Sequence, residues 1–359
     1  MKSSIHTLRF ATILAAAALA LSACGGGGGG GGSSSASSAP SAPTPASETS
    51  GASPALSGTL APETHVGMFA LLAAPGAAAS AFAPTGDVVN DTMGFMNDKR
   101  AQLGLPAFTF KKEVAEAAQD HSKYDQLNGV VGHVETFGMP GFTGVLYTDR
   151  VNRYYTTASV GEITVGVWGA FASSTTGIDI LFDAPFHRSV VLSDMNFAGP
   201  GVAASTSSSI GSEMTVDFAD NKPFLPTLSL VAYPYSQQTG VKTSWVANEE
   251  PNPMMGNAAY INKVVGYPIS LSSAELNMFT KTAFKITDPS GAVLPCQATD
   301  YGTDPADAKG LAICVPLSPL APYTVYTVEA TGTLQTTTIK GQFDVTWTFA
   351  TGASTPNGI

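Results

Sequence analysis

Five histidines are the side chains of this 359-residue chain best suited to acid–base or metal chemistry, and their settings differ. His6 and His65 fall in N-terminal segments without globular patterning. His121 lies in phase with Val114 and Ala118 on the apolar face of a helix, which predicts a core histidine held by hydrogen bonds. His133, in Gly132-His133-Val134-Glu135, and His187, in Ala184-Pro185-Phe186-His187-Arg188, sit in irregular chain beside Gly or Pro, where functional side chains are displayed. Two imidazoles and a carboxylate form a donor set for Zn²⁺ or another transition metal with a position left open for water. The same groups also form hydrogen-bonded clusters that tie loops to a sheet, and both readings stand. Covalent catalysis has little behind it, since no Gly-x-Ser-x-Gly elbow and no His-Glu-x-x-His helix occurs. Ser122 and Ser189 are only sequence neighbours of histidines, whereas triads draw their members from separate segments. The acidic stretch Asp300–Asp307 lacks the alternate-residue spacing of an EF-hand loop and reads as a solvated turn.

The elements that must position these groups follow from periodicity. Val89, Met93, Met96 and Leu103 recur at helical spacing over Val88–Leu103, and Gly104 stops the run. Leu105-Pro106 forces an extended turn before a second helix, Lys111 to Asn128. A third helical patch covers Thr148–Tyr155, with Arg150, Val151 and Tyr154. Strand-like runs at Glu162–Val167, Gly199–Ala204 and Met214–Phe218 are interleaved with helical pieces at Gly177–Phe182 and Phe186–Leu192, an α+β pattern. From Pro223 onward helix signals vanish. Leu228–Tyr235, Ile269–Leu271, Ala283–Thr287, Ala292–Ala298, Leu311–Val315, Val325–Ala330 and Gly341–Phe349 read as strands, and Asp288-Pro289-Ser290-Gly291 as a hairpin turn. Alternation in Phe343/Val345/Trp347/Phe349 gives one buried face per strand and argues for a β-sandwich.

Several of these segments carry a resemblance. Asn97-Asp98-Lys99-Arg100 with Gly104-Leu105-Pro106, Ala115 to His121-Ser122, His133, Arg150 with Tyr154 and Gly161-Glu162, Ala184 to Arg188 with Leu192, and Gly199-Pro200-Gly201-Val202 resemble, in order and spacing, the CAP superfamily. That superfamily groups cysteine-rich secretory proteins, antigen-5 allergens, pathogenesis-related proteins and bacterial SCP-like proteins. The resemblance implies a three-layer α-β-α sandwich around an antiparallel sheet. It also implies a cleft tetrad of two His and two Glu, of which His133, Glu162 and His187 are present. No fourth Glu is evident; Asp183, four residues before His187, is the nearest substitute, and Asp179 the next. Arg150 and Arg188 fall inside matched motifs and could pair with Glu162 or Asp183. The ending Trp347-Thr348-Phe349-Ala350-Thr351 and the stretch Leu320–Val328 resemble bacterial Ig-like modules.

Composition sets the address. Hydrophobic residues make up 44% and charged residues 12%, enough for real cores. A net charge of −10 with 17 Lys+Arg argues against a nucleic-acid partner. Lys2 and Arg9 precede an apolar run, Phe10 to Leu21, too short to span a membrane. Leu21-Ser22-Ala23-Cys24 resembles the lipobox of bacterial lipoproteins, which implies lipidation of Cys24 and an anchor in the cell envelope. Gly25 in place of Asp leans towards the outer membrane. Export also favours a disulfide between the remaining two cysteines, Cys296 and Cys314. The expected organisation is a lipoprotein signal peptide over 1–24, a Gly/Ser/Pro/Ala-rich tether over 25–85, a CAP domain over 86–222, a connector over 223–265 and an Ig-like β-sandwich over 266–352. Val66–Phe82 reads as a weakly ordered lead-in. The resulting expectation is an outer-surface or periplasmic lipoprotein whose cleft binds a lipid, sterol-like molecule, glycan or protein partner, with a divalent, Zn²⁺-like metal as a further occupant. The alternative is a metal-dependent hydrolase, peptidase- or esterase-like, using His133, Glu162 and His187.

Overall fold

The sheet that carries Glu162 has two faces of opposite character, and the helices divide between them. A computed structural model describes residues 54–73, 82–274 and 276–355. The signal segment, Cys24 and the first part of the expected tether lie outside the described residues. In chain order the elements begin with β1 (Thr64–Val66), β2 (Ala70–Leu71), α1 (Val88–Gln102), β3 (Thr109–Phe110), α2 (Lys112–Asn128) and α3 (Tyr147–Tyr154). They continue with β4 (Val160–Trp168), α4 (Thr176–Asp183), α5 (Pro185–Val191), β5 (Met195–Ala203) and β6 (Gly211–Asn221). α1 starts where Asp87 caps it by accepting the Asn90 N–H at 2.8 Å, and α2 ends at Gly129, whose φ of 62° a side chain would resist.

β3, β5, β6 and β4 form one four-stranded sheet in that order, with β4, β5 and β6 antiparallel. Along β6 the side chains alternate. Met214, Val216 and Phe218 enter the main core, where the Thr92 hydroxyl of α1 meets Met214 Sδ at 3.4 Å. Thr215 and Asp217 face the other way, where Ser122 of α2 donates to Thr215 Oγ1 at 3.1 Å. Glu162 pairs with Asp217 across β4 and β6, so both belong to this second, polar face under α2. α2 packs close on β5: a Cβ on Gly199 would land 2.2 Å from the Ala115 nitrogen, and one on Gly201 2.1 Å from the Gln119 nitrogen. The mixed α+β reading of this half is what the structure shows.

Apart from a short 3-10 helix at Met255–Tyr260, the remaining elements are strands: β7 (Ser229–Tyr233), β8 (Ser244–Val246), β9 (Val264–Gly266), β10 (Ile269–Ser272), β11 (Met278–Thr287), β12 (Val293–Leu294), β13 (Cys296–Thr299), β14 (Leu311–Pro316), β15 (Val325–Gln335) and β16 (Lys340–Ala350). Two five-stranded sheets result, in the orders β1-β16-β15-β11-β12 and β13-β14-β10-β7-β2, with β8 and β9 as a separate pair. Their apolar faces meet in the core. Phe279, Val328, Phe343 and Trp347 come from one sheet and Ile269, Leu271 and Ile313 from the other, and the Trp347 indole donates to the Pro234 carbonyl at 2.9 Å. Cys296 and Cys314 form a disulfide with Cα atoms 5.6 Å apart.

Two expected boundaries move. Residues 64–71, placed in the tether, supply β1 and β2. β1 pairs with β16 in the register Thr64↔Thr346, and β2 lies parallel to β7. An edge strand this short needs only backbone hydrogen bonds, so its sequence carries no alternation to read. Residues 223–265, expected as a connector, supply β7 at the heart of the second sheet, paired with β10. The described residues belong to one compact unit, with a single large core running from α1 and α4 into both sheets.

Candidate functional site

His133 and His187 come together although 54 positions separate them: their ring centroids are 6.4 Å apart, at an interplanar angle of 30°. His133 sits in the irregular chain between α2 and α3, and His187 in the first turn of α5, which Pro185 starts. Each ring is held from behind by a carboxylate. His133 Nδ1 lies 2.8 Å from Glu162 Oε1, and His187 Nδ1 lies 2.8 Å from Glu249 Oε1. The same Glu249 oxygen accepts the backbone N–H of His187 at 2.7 Å. A carboxylate can only accept, so each Nδ1 carries the proton and each Nε2 is left as an acceptor. Neither Nε2 has a hydrogen-bond partner among the described residues.

Glu162 is fully spoken for. Its second oxygen accepts from Arg150 Nη2 at 2.5 Å, and Arg150 also donates to the His133 carbonyl at 3.2 Å. Burial pushes the Glu162 carboxyl up, but the His133 hydrogen bond and the Arg150 charge outweigh it and hold the group below the usual Glu range. Its cross-strand partner Asp217 moves the other way. Burial, reinforced by the charge of the adjacent Glu162, raises it well above the ordinary Asp value. The two carboxyls of the pair are thus pushed in opposite directions.

Behind this lies a second buried group. His121 Nδ1 is 3.0 Å from Glu135 Oε1, and its Nε2 is 2.7 Å from the Gly132 carbonyl. Burial opposes its protonation, but the Glu135 contact and Glu162 charge raise its pKa overall. Glu135 also accepts the Thr143 N–H at 2.6 Å, which closes the loop that presents His133. His121 is therefore the packed, hydrogen-bonded histidine its phase on α2 predicts. Glu135, quoted only as a neighbour of His133, is the structural carboxylate of this loop.

Around the two histidines lies a cleft of about 370 Å³. The α+β half lines it with the apolar Val160, Ile163, Phe186, Val190 and Met195 and with the polar Glu162, Ser189 and Ser193. The β-rich half adds Glu250, Ser272, Ser273, Asp307 and Lys309, with Pro251 and Ala306 among them. Asp307, in the stretch read as a solvated turn, thus borders the cleft. Glu249 Oε2 is buried beside His187 without a partner among the described residues.

Asp183 does not join this group. Its carboxylate accepts from Lys242 at 2.6 Å and from the Tyr267 hydroxyl at 2.9 Å, and Lys242 takes Asp179 at 2.6 Å as well. Helical spacing fails here because α4 ends at Asp183 and α5 begins after Ala184, so the four-residue step to His187 crosses a break. The place expected for Asp183 beside His187 is filled by Glu249, from the turn between β8 and β9. Of the two arginines, Arg150 pairs with Glu162, whereas Arg188 turns away from the cleft and donates to the Pro268 carbonyl at 2.8 Å. The metal expectation meets the same geometry. Two carboxylate-backed imidazoles are present, but Glu162 has both oxygens engaged, and among the described residues no three His, Cys, Asp or Glu converge as ligands.

No helix among the described residues is long and apolar enough to cross a membrane. No family model matches the chain, and no curated protein matches it. Among solved structures, an extracellular protein containing an SCP domain from Bacillus anthracis str. Ames is similar over 37% of this chain, at 19% identity and a TM-score of 0.31; the match spans 40% of that protein. An outer surface protein from Borrelia burgdorferi is similar over 36% of this chain and 90% of its own, at 15% identity and a TM-score of 0.30.

Proposed function

We propose that this chain is an exported, envelope-anchored binding protein. Its α+β half is a CAP-type module, a three-layer sandwich with helices on both sheet faces, and its two C-terminal sheets form an Ig-like β-sandwich. Lipidation at Cys24 would hold it to the cell envelope, and Gly25 points to the outer membrane. The observation that carries the binding reading is the cleft itself. Two imidazoles whose Nε2 atoms have no hydrogen-bond partner among the described residues stand in a cleft of mixed apolar and polar lining, in a volume of the size small ligands occupy. Such a lining suits an amphiphile, with its apolar part against Phe186 and Met195 and a hydrogen-bond donor at the histidines. Calorimetric titration with palmitate, cholesterol and chitotriose, one from each ligand class, tests this. We expect one class to bind wild type and to lose roughly tenfold or more in affinity in His133→Ala and His187→Ala. Binding by none, or binding indifferent to both substitutions, would reject the cleft as the seat.

A second reading has its own support. Histidines that ligate metal commonly give Nδ1–H to a carboxylate, as both do here. In that reading His133 and His187 hold a divalent cation through Nε2, and the metal-dependent hydrolase remains its catalytic form. Zn²⁺ titration of wild type against the same two variants separates the readings: binding no tighter in wild type than in either variant would remove the metal.

A further inference from the structure

The loop that presents His133 also carries an exposed apolar surface. Phe137 is 83% exposed and Trp168 84%, and Val131, Val134, Met139 and Leu146 are exposed around them. Two groups of contacts hold these residues in place. Phe137 packs edge-on against Phe142 at 5.4 Å, and the chain at Gly141 lies against Leu127, where a Cβ would sit 3.3 Å from Leu127 Cδ1. The Glu135 N–H donates to the Val145 carbonyl at 3.1 Å, which joins the two arms of the loop. Val131 reaches over β4, so that a Cβ on Gly166 would come within 2.6 Å of Val131 Cγ2. Trp168 lies two residues further along the same strand and so projects from the same face, about 7 Å away.

We propose that this patch docks on a lipid bilayer, with Phe137, Val134 and Trp168 entering the boundary between headgroups and acyl chains. Two observations favour a bilayer over a protein partner. Between Leu127 and Thr148 the only acidic or basic side chain apart from His133 is Glu135, and it is buried, so the loop itself carries few of the charges that fix register between proteins, and the exposed Lys123 and Asp149 stand only at its margins. Exposed Trp and Phe beside aliphatic residues are also the composition of interfacial insertion. The chain supplies the proximity. Residues 25–53 can span at most about 100 Å, so a lipid at Cys24 keeps the patch within reach of the membrane. In this last respect the proposal rests on the anchor reading. A net charge of −10 makes the contact hydrophobic, not electrostatic.

Trp168 is a built-in probe, because Trp245 and Trp347 are buried. The test uses the chain from residue 24 onward with Cys24→Ser, which has no acyl group, and zwitterionic phosphatidylcholine–phosphatidylethanolamine vesicles with and without brominated lipid. We expect co-sedimentation, a blue shift of Trp168 emission, quenching by brominated lipid, and no loss at high salt. Trp168→Phe should abolish the quenching. Val134→Asp with Phe137→Asp should lower partitioning by roughly tenfold or more, with the melting temperature unchanged because both sites are exposed. Absence of co-sedimentation and quenching would overturn the proposal. So would binding confined to anionic vesicles and lost in salt, or self-association that buries Trp168 without vesicles. The acyl mass on the Cys24 peptide of protein isolated from its host is measured separately; an unmodified Cys24 with intact vesicle binding rejects the anchor and leaves the docking surface standing.

Discussion

Glu162 stays ionised in a buried place because its oxygens are divided between His133 and Arg150. Removing the arginine leaves an unpaired buried charge, so Arg150→Met should destabilise the protein by about 3–5 kcal/mol, read from urea unfolding. A loss under about 1 kcal/mol would show that the pair is not the support of this face. Glu213 offers a pH test on the same face. Burial, with Asp125 nearby, pushes its pKa to about 8, and one of its oxygens has no partner. A folded pKa above the unfolded one means that its stabilising effect is complete below the ordinary Glu value and is lost as pH rises through about 8. Asp125, raised to about 6 by burial, adds loss in the same direction at lower pH. Glu213→Gln should therefore flatten the fall in melting temperature between pH 5 and 8 and gain on the order of 3 kcal/mol at neutral pH; an unchanged pH slope would refute this. His133, Glu162 and His187 stand out in the sequence only through the resemblance of their segments to family motifs, and the folded chain brings the three together. The sequence hid Glu249, 62 residues from its partner in a stretch that reads as a linker, and only the folded chain brings the two together.

The elements show what spacing can and cannot tell. α2 is legible from its apolar face, yet what sets its height over the sheet is the absence of side chains at Gly199 and Gly201 on β5. Gly201→Ala would drive a methyl group into the Gln119 backbone, which cannot yield as a flexible side chain does. We expect a loss of about 3 kcal/mol in urea unfolding, from overpacking, and a weaker Ser122–Thr215 contact beneath it. A near-neutral effect would mean that α2 rides looser than the structure shows. Long periodic elements such as α2, β15 and β16 announce themselves because each buries a full face. β1, β2 and β8 do not, since two or three residues whose main job is to complete a neighbour's backbone hydrogen bonds leave no period in the sequence.

At the scale of the whole molecule the question is whether the α+β half and the two β-sheets are separable. A sequence that changes composition near residue 223 suggests that they are, but the contacts across the seam argue otherwise. Phe182 of α4 meets Tyr233 of β7 edge-on at 4.9 Å, Asp183 accepts from Tyr267, Lys242 holds Asp179 and Asp183, and His187 is gripped by Glu249. Arg188, fully buried, crosses from α5 to donate to Tyr267 and Pro268. Interfaces between independent domains are more polar and looser than this continuous core. We therefore expect the folded part to unfold in a single calorimetric transition, with calorimetric and van't Hoff enthalpies in agreement. Two substitutions give opposite signatures. Breaking the Cys296–Cys314 bond by Cys296→Ser with Cys314→Ser acts within the β-rich half. It should lower stability by about 3 kcal/mol through the unfolded chain while the transition stays single. Arg188→Ala acts on the seam, leaves the Pro268 carbonyl buried and unpaired, and should split the transition in two. Two transitions in wild type would show that the halves fold separately, and the cleft between them would then open and close with the seam.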